Sequence, residues 1–429
     1  MKIPPVKGTR DFYPSDMAVR NWIIDGWKKV SVRNGFEEYD GPIFEYLKMF
    51  QIKSGDEIVE QLFSMQDRGG RDLALRPEIT PTLARMVDQR INSLPKPIKW
   101  FSVPRLFRAE RPQKGRLREF FQWNIDIIGV DGVLADAEVI FTTVDYLREV
   151  GLTQRDIRVK LSSRKLLASA LQNIGVPKGQ LDSLYALLDK YSKMPGDTFE
   201  KTLVERVPDS VIATKIMDFM NATRLSEVPE IVGTNAEVED AIQELVLLKI
   251  LLTQMGVWRY CDFYPSIVRG LAYYTGVVFE VDELMGELRA ICGGGRYDKL
   301  LCDFGGPDVP ATGMGMGDCV LEILLKERGL LDKNLSKPKL DYFVACVDEK
   351  FFQKAIEITM KLRSADRAAN FSYKPVGLSK QLKQASAQNA KKCIIVGEEF
   401  KDYQLLVKDM ATGEQKEVDY DKFFAELKS

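Results

Sequence analysis

Apolar and polar positions alternate between two rhythms along this chain, and the change of rhythm marks its parts. Over residues 19–34 apolar side chains recur every three to four positions, which predicts an amphipathic helix stopped at Gly35. Residues 36–40 then run extended into Gly41-Pro42, a pair that blocks helix. A short strand is expected over 73–75, a helix over 80–88, and a second long helix over 135–150 ended by Gly151. From about 160 to 255 strand-like runs thin out and helical spacing dominates, over 164–174, 179–191, 209–221 and 236–255. That stretch reads as a helical insertion within the first domain. Strand patterns resume over 267–281, followed by Gly293-Gly294-Gly295 and a glycine–methionine alternation from Gly313 to Gly317. Residues 326–338 are polar and read as a linker. The remainder reads as a small α/β unit. It has a strand over 342–347 and a helix over 350–364 with Phe352, Ala355, Ile356, Met360 and Leu362 on one broad face. A strand near Phe371, a helix over 379–389, an apolar strand over 393–396 and a hairpin through Thr412-Gly413 complete it.

The most informative stretch is FRAERPQKGRLREFFQWNID at 107–126. Read with period two, Trp100, Ser102, Pro104, Leu106, Arg108 and Glu110 share one face of a strand. Beyond a loop, Phe120, Gln122, Asn124 and Asp126 share a face of the next strand, opposite Phe121, Trp123, Ile125 and Ile127. The loop, 111–118, is turned by Pro112 and Gly115 and adds Arg111, Lys114, Arg116 and Arg118, which suits polyphosphate or nucleic acid. A solvated, charge-rich hairpin is the plainer reading of the loop alone. The strand positions shift the balance, because Gln122 and Asp126 alternate with large apolar residues.

Composition narrows the chemistry. A chain of 429 residues, 45% apolar and 29% charged, accommodates two or three globular domains. Its net charge of −1 means that any nucleic-acid contact comes from a local basic patch. The first residues lack the apolar core of a signal peptide and no run approaches membrane-spanning length, so a cytoplasmic protein without membrane association is expected. Six cysteines, at 261, 292, 302, 319, 346 and 393, show no CxxC spacing and read as reduced, mostly buried thiols. There is no histidine, which excludes every mechanism that needs an imidazole in the protein.

The segment at 107–126 resembles the second signature motif of class II aminoacyl-tRNA synthetases, in the form FRxERPQxGRxR. Together with RGLAYYTGVVFE at 269–280, it makes the chain similar to the histidyl-tRNA synthetase family over nearly its whole length. The resemblance takes in KGTRDFYP at 7–14, a motif-1-like Pro42, LRPEIT at 75–80, GGGRYD at 293–298 and ATGEQ at 411–415. It implies an α+β catalytic domain over 1–325, a six-stranded antiparallel sheet flanked by helices, with the helical insertion at about 160–255. A linker over 326–338 and an α/β anticodon-binding domain over 339–429 would follow. The implied activity joins L-histidine to ATP as histidyl-adenylate, releasing pyrophosphate, and then passes histidine to the 3′ end of tRNA(His). Mg²⁺ would be held mainly by ATP, with no metal site on the protein, and a homodimer would form through the segment around Pro42.

Residue by residue, the resemblance gives Arg108 the α-phosphate of ATP, Glu110 the adenine side and Arg116 the γ-phosphate. Arg269 would lie across the α-phosphate as the carboxylate of histidine attacks, so Arg108 and Arg269 form the catalytic pair. Glu78, Thr80 and Gln122 would receive the ammonium group, and Asp126, Tyr274 and Tyr297 the imidazole, with Arg269 and Tyr273 completing the histidine set. Arg111 and Gln113 would read the first base pair of the acceptor stem, and the retained Arg111, Pro112 and Gln113 lean towards a requirement for an extra 5′ guanosine. Plainer readings stand beside these. Tyr273 and Tyr274 suit a core equally well, Gly293–Gly295 suits a tight turn, and Lys374, Lys380 and Lys383 suit either an anticodon or a solvated helix face.

Two positions depart from the family pattern. Ala272 stands where an aspartate is usual, and GMGMGDCVL places Asp318 and Cys319 at the glutamate and arginine of the third motif, whose Gly-x-Glu-Arg ending supplies an ATP-binding arginine that a cysteine cannot replace. Arg116 or Arg118 would then take over that charge. The departures keep a rival open: an inactive paralogue serving as the histidine-sensing regulatory subunit of ATP phosphoribosyltransferase. A synthetase for another amino acid with the same carboxy-terminal module is a second rival. The missing histidines fit the family reading in one further way. A histidine-free enzyme can be made when histidyl-tRNA is scarce.

Overall fold

A computed structural model describes residues 3–51, 61–191, 194–269, 273–285, 288–331, 335 and 340–427. Ala272 lies outside the described residues, as does most of the expected linker beyond Leu331. The chain divides into two compact units, Met1–Asp332 and Lys333–Ser429.

The first unit carries strands β1 (Glu37–Glu38), β2 (Phe44–Tyr46), β3 (Ser64–Gln66), β4 (Asp72–Leu75), β5 (Ile98–Ser102) and β6 (Arg105–Phe107). They are followed by β7 (Glu119–Ile128), β8 (Ile157–Ser163), β9 (Cys261–Phe263), β10 (Val277–Glu283), β11 (Cys292–Arg296) and β12 (Ala311–Gly317). The main sheet runs β1-β5-β7-β12-β11-β10-β8-β9, with β6 also paired to β7. From β5 to β8 every pairing is antiparallel, which is the six-stranded arrangement implied by the family resemblance. The short edge strands β1 and β9 add parallel pairs. A separate small sheet has the order β2-β4-β3.

Strand β7 shows why the site faces one way. Trp123, Ile125 and Ile127 are buried on the side covered by helices Pro14–Arg33 and Leu134–Glu149. There Trp123 stacks on Trp27 at 6.3 Å, meets Tyr146 at 5.4 Å and donates from Nε1 to Ser31 Oγ at 2.8 Å. Gln122, Asn124 and Asp126 are left for the opposite face.

Several expected elements shift. The first helix starts at Pro14, because proline suits the first helical position and Asp16 accepts the Tyr13 N–H at 3.1 Å. The run expected to carry Arg108 and Glu110 breaks after Ser102, where Pro104 brings no N–H to the ladder. Arg108 and Glu110 therefore stand beyond β6, at the neck of the loop, where Arg108 N–H donates to Arg118 O at 2.9 Å. The run over 267–281 is strand only from Val277, because a turn at Tyr264–Ile267 and a left-handed Arg269 precede it. Gly293–Gly295 is no turn: it lies inside β11, in mid-sheet. Helices occupy Arg164–Asn173 to Ala236–Gln254, including an unexpected Gly196–Arg206, while residues 160–163 belong to β8.

The second unit is a five-stranded sheet of β13 (Leu340–Cys346), β14 (Ala369–Phe371), β15 (Ala390–Val396), β16 (Gln404–Asp409) and β17 (Gln415–Asp419), ordered β14-β13-β15-β16-β17. Helix Phe352–Ser364 buries Ala355, Ile358, Thr359 and Leu362, while Met360, expected on that face, is 41% exposed. Helix Leu378–Ala387 packs on the opposite face, through Ala385 and Leu382 against Phe343 and Ala345. A last helix, Tyr420–Glu426, follows the hairpin and buries Phe424.

Candidate active site

Glycines make the floor of the site. Gly313 lies opposite Asp126, and Gly293 lies opposite both Gly315 and Glu280. A Cβ on Gly313 would fall 2.1 Å from Asp126 Oδ1, and one on Gly293 would fall 2.6 Å from the Arg269 Cζ. Bare backbone at these two positions is what lets the larger side chains lie flat across the sheet.

A pocket of about 740 Å³ opens over this floor, lined by Arg108, Arg116, Arg269 and Arg289 together with Glu110 and Gln122. Arg108 lies over the Phe120 ring at 5.1 Å and donates from Nε to Pro77 O at 3.0 Å, which aims the guanidinium. Arg116 pairs with the buried Glu110. Arg269 has φ 59°, a conformation that costs a non-glycine residue about 1–2 kcal/mol, and pairs with Glu280 across Gly293. Burial works against its charge, but Tyr274 and Glu280 more than offset that and raise its pKa above the ordinary arginine value.

Tyr274 links this pocket to a buried polar cluster. Tyr273 donates to Glu78 Oε2 at 3.3 Å, and its ring meets Tyr274 at 5.1 Å and Tyr297 at 5.8 Å. Tyr297 donates to Asp126 Oδ1, and Asp126 Oδ2 is buried with no hydrogen-bond partner among the described residues. Burial lifts the Asp126 pKa to about 7, with the Tyr297 hydrogen bond pulling the other way. Tyr39, which no sequence pattern singled out, joins this cluster. Its ring packs on Trp100 at 5.6 Å, and its hydroxyl is buried without a partner among the described residues. Thr80, half-buried, opens helix Thr80–Asp88 two residues after Glu78. The rings of Tyr273 and Tyr274 are buried, and their hydroxyls meet Glu78 and Arg269 within the chain.

Arg111 and Gln113 are exposed on the loop, whose turn closes by Arg116 N–H to Gln113 O at 3.0 Å, with Gly115 at φ 75°. Arg118 does not line the pocket. It donates from Nε to Glu110 O at 2.9 Å, and its N–H reaches Gly8 O at 2.8 Å.

The third motif also needs a correction of register. Counted from Gly317, Gly-x-Glu-Arg puts Cys319 at the glutamate and apolar Val320 at the arginine, and both line the pocket. Asp318 is turned inward. It accepts the Phe121 N–H at 3.0 Å on Oδ1 and Arg10 at 2.6 Å on Oδ2, so KGTRDFYP is pinned beside the site. Burial and the neighbouring Asp318 push the Cys319 thiol well above its usual pKa, so it stays neutral.

With the geometry established, comparison with known proteins decides the family. A family model described as Histidyl-tRNA synthetase matches residues 8–317, and one described as Anticodon binding domain matches residues 341–429. The chain belongs to the histidyl-tRNA synthetase family. It is 40% identical over 417 residues to the chloroplastic/mitochondrial histidine–tRNA ligase of Arabidopsis thaliana, covering 97% of this chain and 85% of that one. It is 37% identical over 415 residues to the histidine–tRNA ligase of Opitutus terrae, covering 96% and 94%. Among solved structures it resembles the histidyl-tRNA synthetase of Nostoc sp. PCC 7120 with a TM-score of 0.83 at 23% identity, covering 100% and 99%. No helix among the described residues is long and apolar enough to cross a membrane.

Proposed function

We propose that this histidyl-tRNA synthetase family member is a histidine–tRNA ligase whose two binding regions lie along one face of β7. The observation that carries the site assignment is the sharing of that face by Gln122, at the arginine-lined pocket, and Asp126, in the tyrosine cluster. Four residues of strand span about 13 Å, the scale of an amino acid joined to a nucleotide phosphate chain. Glu78, Thr80 and Gln122 receive the ammonium of histidine, and the open oxygen of Asp126 takes an imidazole N–H, beside Tyr273, Tyr274 and Tyr297.

In the first step a carboxylate oxygen of histidine attacks the α-phosphorus of ATP and the bond to the bridging oxygen breaks, releasing pyrophosphate. No proton moves, so a chain without histidine lacks nothing that the step requires. Arg108 and Arg269 hold charge on the α-phosphate, Glu110 faces the adenine and Arg116 the γ-phosphate. Mg²⁺ would be held by ATP itself and would supply screening of the outer phosphates. In the second step the 3′-terminal hydroxyl of tRNA(His) attacks the activated carbonyl and AMP leaves, while Arg111 and Gln113 face the acceptor stem. The second unit binds the anticodon, with exposed Lys374, Lys380 and Lys383 and the 79% exposed Tyr373 available to RNA. The protein works in the cytoplasm as a homodimer, for which exposed Ile43, Phe44 and Tyr46 beside Pro42 supply apolar contact.

Histidine-dependent exchange of labelled pyrophosphate into ATP tests this reading. Exchange with histidine alone among the amino acids is expected. Histidine binding without exchange would instead favour the regulatory paralogue.

A further inference from the structure

The third motif of this chain has lost its arginine, and the pocket contains one arginine that the motifs do not account for. Val320 occupies the arginine position and packs beneath the loop turn, where a Cβ on Gly115 would come 3.0 Å from its Cγ2. An isopropyl group there offers phosphate nothing. Of the two replacements suggested by sequence, Arg118 does not line the pocket, and Arg116, paired with Glu110, already has the γ-phosphate as its own role in the proposed function.

We propose that Arg289, which lies between β10 and β11 in sequence, replaces the missing motif arginine and binds the outer phosphates of ATP. The proposal rests on the reading of the pocket as the ATP site. Arg289 lines that pocket and is exposed, and its Nη2 donates to Gln113 Oε1 at 3.1 Å. No carboxylate among the described residues lies within ion-pair distance of it. The charged groups on and beside β10 are matched: Arg269 with Glu280, Lys160 with Asp282, and Glu283 with Arg328. Gln113 is neutral, so its hydrogen bond places the guanidinium without cancelling its charge. The contact also ties Arg289 to the loop that carries Arg116, and both guanidinium groups line the pocket. An exposed arginine at the mouth suits the outer phosphates rather than the α-phosphate, which Arg108 and Arg269 flank deeper on the floor.

The test uses the full chain carrying Arg289→Met or Arg289→Lys, assayed by histidine-dependent pyrophosphate exchange without tRNA. Arg289→Met should raise the KM for ATP about tenfold or more and the KM for pyrophosphate in parallel, leaving the KM for histidine and AMP inhibition unchanged. Lysine should recover part of the loss, since it keeps the charge and loses the fork. Unchanged KM values for ATP and pyrophosphate would overturn the proposal. So would a defect confined to the KM for tRNA in aminoacylation, which would assign Arg289 to the acceptor stem through Gln113. Equal losses for ATP, histidine and AMP would reduce it to a structural residue. An unmutated protein with no exchange at all would instead refute the ATP reading of the pocket.

Discussion

Asp126 is held in a state that water would not give it. One oxygen is bonded to Tyr297, the other has no partner among the described residues, and burial raises its pKa to about 7. In the unfolded chain the same carboxyl titrates near 4. A group whose pKa is raised by folding favours the folded state while protonated. Ligand-free stability should therefore fall as pH climbs from about 4 to about 7 and level off above. Asp126→Asn cannot ionise. Its stability relative to the parent should grow over that window, by roughly 2–4 kcal/mol in denaturant titrations. A pH-independent difference would mean that Asp126 is already ionised and satisfied without histidine. The same variant should bind histidine more weakly, because a neutral amide attracts an imidazole N–H less than a carboxylate does.

At the level of elements, strands β11 and β12 serve the site by having almost no side chains. Gly293→Ala would drive a methyl into the Arg269 guanidinium and should act like Arg269→Ala, lowering kcat of exchange about 100-fold with the KM for histidine nearly unchanged. Gly313→Ala would meet Asp126 instead and should raise the KM for histidine first. Steady-state kinetics of the pair checks this, and indistinguishable defects would mean that the sheet alone requires glycine. Sequence patterns disclosed the face of β7 because large apolar residues alternate with Gln122, Asn124 and Asp126, and they matched helix Thr80–Asp88 at both ends. They failed where backbone geometry overrides composition. The apolar run over 267–281 hides a left-handed Arg269, and no periodicity announces Arg289. Cys319 drew attention for its chemistry, yet the residue that holds the third motif in place is its neighbour Asp318, whose partner Arg10 lies at the other end of the unit's sequence.

For the whole molecule, the missing histidines predict an outcome in cells. Synthesis of this 429-residue chain should persist under histidine depletion longer than that of histidine-containing chains of similar length, as pulse labelling would show. Equal stalling would leave the composition as drift in one lineage. The chain's own order of synthesis imposes a different constraint. Arg10 and Asp318 are 308 positions apart. At about 5–20 residues per second, roughly 15–60 s pass between their syntheses. Throughout that interval Arg10 lacks its acidic partner, although Gly8 and Phe12 can already meet Arg118 and Phe121 at the arginine loop. An incomplete chain is thereby denied a finished site until almost all of its catalytic unit has been made.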